Sequence, residues 1–179
     1  MSQINKQLTH SETINQVKTF PIVVLCENFL SPENVGMTFR ICDAMGVQHL
    51  YLGGSTPTLP NRKVVKAARS AHKKVPFSHQ LDVAGLLNQL KQEGYRLIGL
   101  EITNQSKDIR TFDFTTLDKI AFVAGAERYG ISEATLNTLD ATVHIPMYGA
   151  GSSMNVVTAL SIGLYEITGQ MGVRLLEDI

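Results

Sequence analysis

Thr142-Val143-His144-Ile145-Pro146-Met147, then Tyr148-Gly149-Ala150-Gly151-Ser152-Ser153, then Met154-Asn155-Val156-Val157-Thr158-Ala159, is the stretch whose reading decides the fold. The first six residues read as a short buried strand that Pro146 ends, because proline gives no N–H to a ladder. The next six form a glycine and serine loop with room for a ligand to approach the backbone. Beyond it Val156, Leu160, Gly163, Leu164 and Ile167 return at three- and four-residue steps, the spacing of a helix face. A strand, a tight loop and a helix start leave free N–H groups at one point, where a ligand or an oxyanion could be held. Taken alone, the stretch equally suits a strand-to-helix connection that only packs.

Upstream the same format repeats. Residues 21–26, 49–52, 95–102 and 120–125 are apolar runs of strand length, with a short extended piece at 75–77. Between them lie helical patterns. One starts near Asn34, carries Val35, Phe39, Cys42 and Met45 on one face and stops at Gly46. A basic one spans 62–73. Asp82 caps a third, which carries Val83, Leu86, Leu87 and Leu90 and ends at Gly94, and Ser132 caps a fourth through Leu139. Residues 103–116 read as a polar loop, and residues 1–19 as a short helix or an arm. Near-continuous apolar strands alternating with helices are the signature of a mostly parallel sheet with helices on both faces. In such sheets the site lies beyond the carboxyl ends of the strands. Residues 34–40, 125–130 and 145–155 sit at such ends.

Composition bounds the class. With 179 residues, 44% of them apolar and 18% charged, the chain has enough material for one domain, 1–179, with a short N-terminal extension over 1–20. No apolar run approaches the ~20 residues of a membrane span, and residues 1–20 lack the apolar core of a signal peptide. Cys26 and Cys42 have neither metal nor redox spacing, so the expectation is a cytoplasmic protein with free thiols. Net charge is zero, yet Arg62, Lys63, Lys66, Arg69, Lys73 and Lys74 fall in one segment without an acid. That segment suits a polyanionic partner, or is simply a solvated face.

Several chemistries are excluded by what is missing. There is no Gly-Lys-Ser/Thr phosphate loop and no serine-hydrolase elbow. The five histidines show no metal-ligand spacing, so no metal is expected, and His144, inside a strand, reads as a satisfied core residue. Gly149-Ala150-Gly151 is only a fragment of a dinucleotide-binding G-x-G-x-x-G.

What remains is three segments: Asn34-Val35-Gly36-Met37-Thr38-Phe39-Arg40, Gly125-Ala126-Glu127-Arg128-Tyr129-Gly130, and Ile145-Pro146-Met147 with Ser153-Met154-Asn155. Together, in this order and each after a strand, they resemble the motifs of the SpoU, or TrmH-like, branch of the SPOUT RNA methyltransferases. The resemblance covers residues 21 to about 170. It implies an α/β domain whose C-terminal part forms a deep trefoil knot, S-adenosylmethionine as cofactor, methylation of a ribose 2′-hydroxyl of tRNA or rRNA, and a homodimer. Family habit favours tRNA over rRNA, because a separate RNA-binding domain is lacking.

The resemblance also assigns residues. Gly125 lets the backbone approach the methyl donor; Ile145, Met147 and Met154 line the adenosine, with Leu100 and Glu101 nearby. Arg40 matches the family arginine beside the reacting hydroxyl and its phosphate. An arginine is very hard to deprotonate, so phosphate positioning and electrostatic help are favoured over a general-base role. Asn34, Glu127, Ser153 and Asn155 match the polar residues of the same centre. Singly, Asn34, Ser153 and Asn155 also suit helix caps, and Glu127 a surface turn. One departure is visible: two positions after Asn155, where the family has a small or hydroxylic residue, stands Val157. The competing functions are an RNA-binding protein of this fold without catalysis and a dinucleotide-dependent oxidoreductase.

Overall fold

The computed structural model describes residues 5–9, 12–14 and 17–177, with side chains up to residue 172. Residues 1–19 lie partly outside that set; the described ones among them form no helix or strand. The strands are β1 (Phe20–Glu27), β2 (Val47–Gly53), β3 (Phe77–Gln80), β4 (Arg96–Leu100), β5 (Lys107–Asp108), β6 (Ile120–Ala124) and β7 (Ala141–His144). The helices are α1 (Pro32–Ala44), α2 (Arg62–Ala68), α3 (Val83–Gln92), α4 (Glu133–Leu136) and α5 (Val156–Glu177). Among the described residues the strands form one seven-stranded sheet in the order β3-β2-β1-β6-β4-β7-β5, every pair parallel.

The apolar runs alternate between two faces, as the pleat requires. Ile22, Val24, Cys26, Ile98, Phe122 and Val143 point to one side, where Phe39 of α1 and Leu160, Leu164 and Ile167 of α5 cover them. Val23, Leu25, Leu97, Ala121 and Val123 point to the other, against Leu86, Leu87 and Leu90 of α3 and Ile131. Both faces are thus dry, which is why these strands read as unbroken hydrophobic runs. Two glycines bring helices close. A Cβ on Gly36 would stand 2.5 Å from Ala67 Cβ and 2.6 Å from the Val64 carbonyl oxygen, so Gly36 sets the contact of α1 with α2; one on Gly163 would stand 2.7 Å from the Phe122 ring, so α5 lies directly on β6.

Local chemistry ends the elements. Ser31 Oγ accepts from the Asn34 N–H at 3.2 Å and caps α1, with Pro32 in the first turn. Gly46 takes φ +62 just beyond its end, and Asp82 caps α3 through the Gly85 N–H at 2.9 Å.

Four readings need correction. The basic helix stops at Ala68; Arg69 takes φ 52 and a 3-10 turn, Ala71–Lys73, follows. Its cations fall three and four apart, and such like-charge pairs weaken a helix. The loop over 103–116 contains β5 and a 3-10 turn, Ile109–Thr111, which β7 pairing and burial of Ile109 and Phe114 hold in place. Ser132 does cap α4, but that helix ends at Leu136, because Asp140 already joins β4: its N–H reaches the Leu97 carbonyl at 2.9 Å and its carboxylate accepts the Leu97 N–H at 2.8 Å. Finally, β7 closes at His144, so Pro146 lies beyond the ladder and does not end it.

Candidate active site

All strands run the same way, so the loops after β1, β6 and β7 emerge at one edge. There the segments after β4, β6 and β7 enclose a cleft of about 810 Å³, and the segment after β1 meets its rim through Glu127. Its apolar lining includes Leu100, Ile131, Ile145, Met147 and Met154; Gly125 and Ala126 supply backbone, and Glu101, Glu127, Ser153 and Asn155 supply polar groups. A nucleoside-sized ligand fits this volume and this mixture of apolar cover with a few fixed polar atoms.

Glu127 ties the edge together. Its carboxylate accepts from the N–H groups of Leu30 (2.7 Å) and Ser31 (3.1 Å) and from Asn34 Nδ2 (2.7 Å). Asn34 Oδ1 in turn accepts from Asn155 Nδ2 at 3.3 Å. Asn155 Oδ1 accepts the N–H groups of Val157 (2.9 Å) and Thr158 (3.2 Å), capping α5. One hydrogen-bonded chain therefore joins a residue from each of the three segments. Partial burial pushes the Glu127 pKa up, but the bonds from Leu30, Asn34 and Ser31 outweigh it and hold the carboxyl below its ordinary value. Asn155 is a cap as well as a site residue, whereas the cap of α1 is Ser31, which frees the Asn34 side chain for Glu127.

The loop between β6 and α4 is built to stay in place. The Ala126 N–H donates to the Gly130 carbonyl (3.1 Å) and the Gly130 N–H to the Ala126 carbonyl (2.8 Å). A Cβ on Gly125 would overlap Gly130 and Ile131 backbone at 2.0–2.2 Å, so only glycine fits there. Glu101 accepts the Ile131 N–H at 3.0 Å. Glu27, which the sequence reading passed over, does the same from below. It is 3% exposed and accepts from the Ser132 N–H (3.0 Å), Ser132 Oγ (2.7 Å) and Thr135 Oγ1 (2.7 Å). An acid ending an otherwise apolar strand was the available signal. His144 also belongs to the site: it lines the cleft, half-buried, with Nδ1 3.0 Å from Ser106 Oγ.

Arg40 stands apart. It is exposed on α1, its guanidinium meets Met37 Sδ at 3.3 Å, and it does not line the cleft. Six residues along a helix place it ~9 Å beyond Asn34. Of the basic segment, Lys63 pairs with Glu33 (3.5 Å) and Lys74 with Asp43 (3.4 Å); Arg62, Lys66, Arg69 and Lys73 form no ion pair among the described residues. Gly149-Ala150-Gly151 lies in an exposed loop four residues short of α5, which removes the dinucleotide reading. The described residues contain no group of three or more His, Cys, Asp or Glu able to hold a metal ion and no helix long and apolar enough to cross a membrane.

Fold and cleft define an α/β protein with a nucleoside-sized cleft where the segments after β4, β6 and β7 converge. Residues 21–165 match the family model described as the SpoU rRNA methylase family, and the chain belongs to that family. It is 30% identical over 149 residues to the tRNA (guanosine(18)-2'-O)-methyltransferase of Thermus thermophilus, covering 83% of this chain and 75% of that one. It is 30% identical over 166 residues to a 23S rRNA (guanosine-2'-O-)-methyltransferase of Ralstonia nicotianae, covering 93% of this chain and 66% of the relative. The crystal structure of the SpoU methyltransferase AviRb from Streptomyces viridochromogenes, in complex with AdoMet, superposes with a TM-score of 0.78 at 26% identity, over 86% of this chain and 61% of the other. The chain thus spans under two thirds of the length of the last two.

Proposed function

We propose that the chain is an S-adenosylmethionine-dependent RNA methyltransferase acting on a ribose 2′-hydroxyl, with tRNA favoured over rRNA, working in the cytoplasm and as a homodimer. The observation that carries this reading is the Glu127–Asn34–Asn155 hydrogen-bonded chain beside the 810 Å³ cleft, which unites the three family segments. The names of the relatives support it: each describes transfer to a guanosine 2′-oxygen. When bound, S-adenosylmethionine supplies an electrophilic methyl group on a sulfonium, which needs no metal.

The residues divide the remaining work. Leu100, Ile145, Met147 and Met154 give adenosine apolar cover, while Gly125 and its neighbours offer main-chain groups for the base edge. Glu101 keeps that backbone in place through the Ile131 N–H. Glu127 and Asn34, fixed by each other, shape the place where the ribose hydroxyl meets the methyl group, and Ser153 lies on the same rim. Holding donor and hydroxyl in line is the main source of rate in such a transfer. Arg40, outside the cleft, takes the phosphate beside the target ribose and stabilises the oxygen as it loses its proton. Arg62, Lys63, Lys66, Arg69, Lys73 and Lys74 hold the RNA backbone.

Two further parts of the reading have support in the chain path. The chain leaves β7 on the far side of β4 and then returns, so that Asn155 meets Asn34; this path suits the trefoil knot the family implies. Met37 on α1 and Ile162 and Tyr165 on α5 are exposed apolar groups on adjacent helices, which suits a homodimer across them. Calorimetric titration with S-adenosylmethionine and with NAD, each with and without EDTA, tests the cofactor assignment. S-adenosylmethionine should bind with or without EDTA and NAD should not; binding of NAD alone, or loss with EDTA, contradicts it.

A further inference from the structure

Tyr129, Tyr148 and Tyr165 stand in solvent at 78%, 86% and 71% exposure. Tyr165 shares α5 with exposed Ile162, on the face assigned above to a second copy. Tyr129 and Tyr148 lie elsewhere. Tyr129 lines the mouth of the cleft, and Tyr148 directly follows Met147, which lines it too. A single exposed apolar side chain is ordinary, but these two share further features. Each ring has an arginine near it: Arg128, also on the cleft, precedes Tyr129, and Arg110, ion-paired with Asp108, donates from Nη2 to the Tyr148 hydroxyl at 3.1 Å and so holds that ring in place. Tyr129 is also held out on a firm tip. The Ala126–Gly130 backbone pair closes the turn beneath it, and Glu127 and Glu101 fasten the turn at both ends. The chain keeps an aromatic ring on a rigid support, in water, two residues from Glu127.

We propose that Tyr129 and Tyr148 are stacking platforms for nucleobases next to the methylated ribose, and that the substrate is therefore an unpaired, single-stranded stretch of RNA. This rests on the RNA reading above. In an A-form duplex the base faces are covered by their neighbours and the major groove is too deep and narrow for side chains. Only a splayed base offers a face to a tyrosine ring. Stacking of this kind tolerates any base, and Arg128 beside Tyr129 adds a cation for the adjoining phosphate. A surface for duplex RNA would need cations and hydroxyls along the backbone but no projecting rings. The cleft makes the same demand, because a ribose can enter it only when its nucleotide has left the stack.

The chain contains no tryptophan, so its five tyrosines report binding by their own fluorescence. The experiment titrates an oligouridylate about ten nucleotides long, and its duplex with oligoadenylate, into the parent, Tyr129→Leu, Tyr129→Phe and Tyr148→Leu. The single strand should bind more tightly than the duplex and quench the parent's emission. Each leucine variant should lose ~10-fold or more in single-strand affinity. Duplex binding and the slope of affinity against salt should stay as in the parent, since no counterions are released by a stacked ring, and Tyr148→Leu, outside the cleft lining, should keep S-adenosylmethionine binding. Tyr129→Phe should bind like the parent. Leucine variants that bind the single strand as well as the parent overturn the proposal, as does a parent that prefers duplex. It also falls if the leucine variants change oligomeric state but not RNA affinity, which would make the rings a protein contact. Tyrosine-dependent single-strand binding without methyl transfer by the parent would sink the enzyme reading and leave this one standing; methyl transfer with unaffected leucine variants would do the reverse.

Discussion

At Arg40 charge and position pull apart. The residue carries the one family cation of the first segment, yet it stands exposed on α1 beside Met37 and away from the cleft lining. Under the proposed function a guanidinium placed there acts on RNA, not on the cofactor. Arg40→Ala should leave S-adenosylmethionine binding intact and lower single-turnover methylation by roughly two orders of magnitude, the scale of a lost electrostatic stabiliser. Methylation near the parent rate would remove the assigned role. Glu127 makes a different demand. Its folded pKa lies below the ordinary 4.5, so it stabilises the fold fully above about pH 4.5, and this is lost as pH falls through the folded value. Thermal melts should therefore find Glu127→Gln less stable than the parent at pH 7, with the gap narrowing as the pH falls below the ordinary 4.5. An unchanged gap would contradict the clamp. The segments holding Asn34, Glu127 and Asn155 were legible as strand ends, while the three residues themselves were picked out by the family resemblance. Glu27 lies in none of those segments, and its partners, Ser132 and Thr135, stand more than a hundred residues further along the chain.

Among the elements, α1 is the most constrained. It carries the Asn34 side chain toward Glu127 and packs its Gly36 on α2 with no room for a methyl group. Gly36→Ala should destabilise the protein by about 1–3 kcal/mol, the range for overpacking, as read by denaturant unfolding. A neutral result would mean that α2 is free to shift. The same packing presents the basic segment. Replacing Arg62, Lys66 and Arg69 with alanine should weaken RNA binding and flatten its salt dependence, while the rate at saturating RNA changes little. Equal binding at every salt would make the segment a solvated face. Strands β1, β4 and β6 were legible because both sheet faces are dry, leaving long apolar runs. By contrast, β5 was invisible: two residues, Lys107 and Asp108, show no periodicity, and only pairing with β7 makes them a strand. The early end of the basic helix at Arg69 follows from like charges at helical spacing, a cost that apolar periodicity does not register.

Across the molecule, parallel strand order does the positioning. With β1, β6 and β7 running the same way, their three following loops meet at one edge although 121 residues separate Asn34 from Asn155. Strand alternation made that edge legible as the site. The return path that brings residues 145–155 back to α1 was not, because it depends on how one loop passes another and leaves no periodicity in the chain. Burial completes the account of the cysteines: Cys26 and Cys42 are fully enclosed, and desolvation pushes both thiols well above their usual range, so neither serves as a nucleophile. The central claim is that the cleft delivers a methyl group to a ribose oxygen of RNA. It is tested most directly by incubating the protein with methyl-labelled S-adenosylmethionine and tRNA, digesting the RNA to nucleosides and locating the label by mass spectrometry. The account predicts label on a 2′-O-methyl nucleoside, absent when Asn34 and Glu127 are replaced; label on a base, or none on RNA at all, would contradict it.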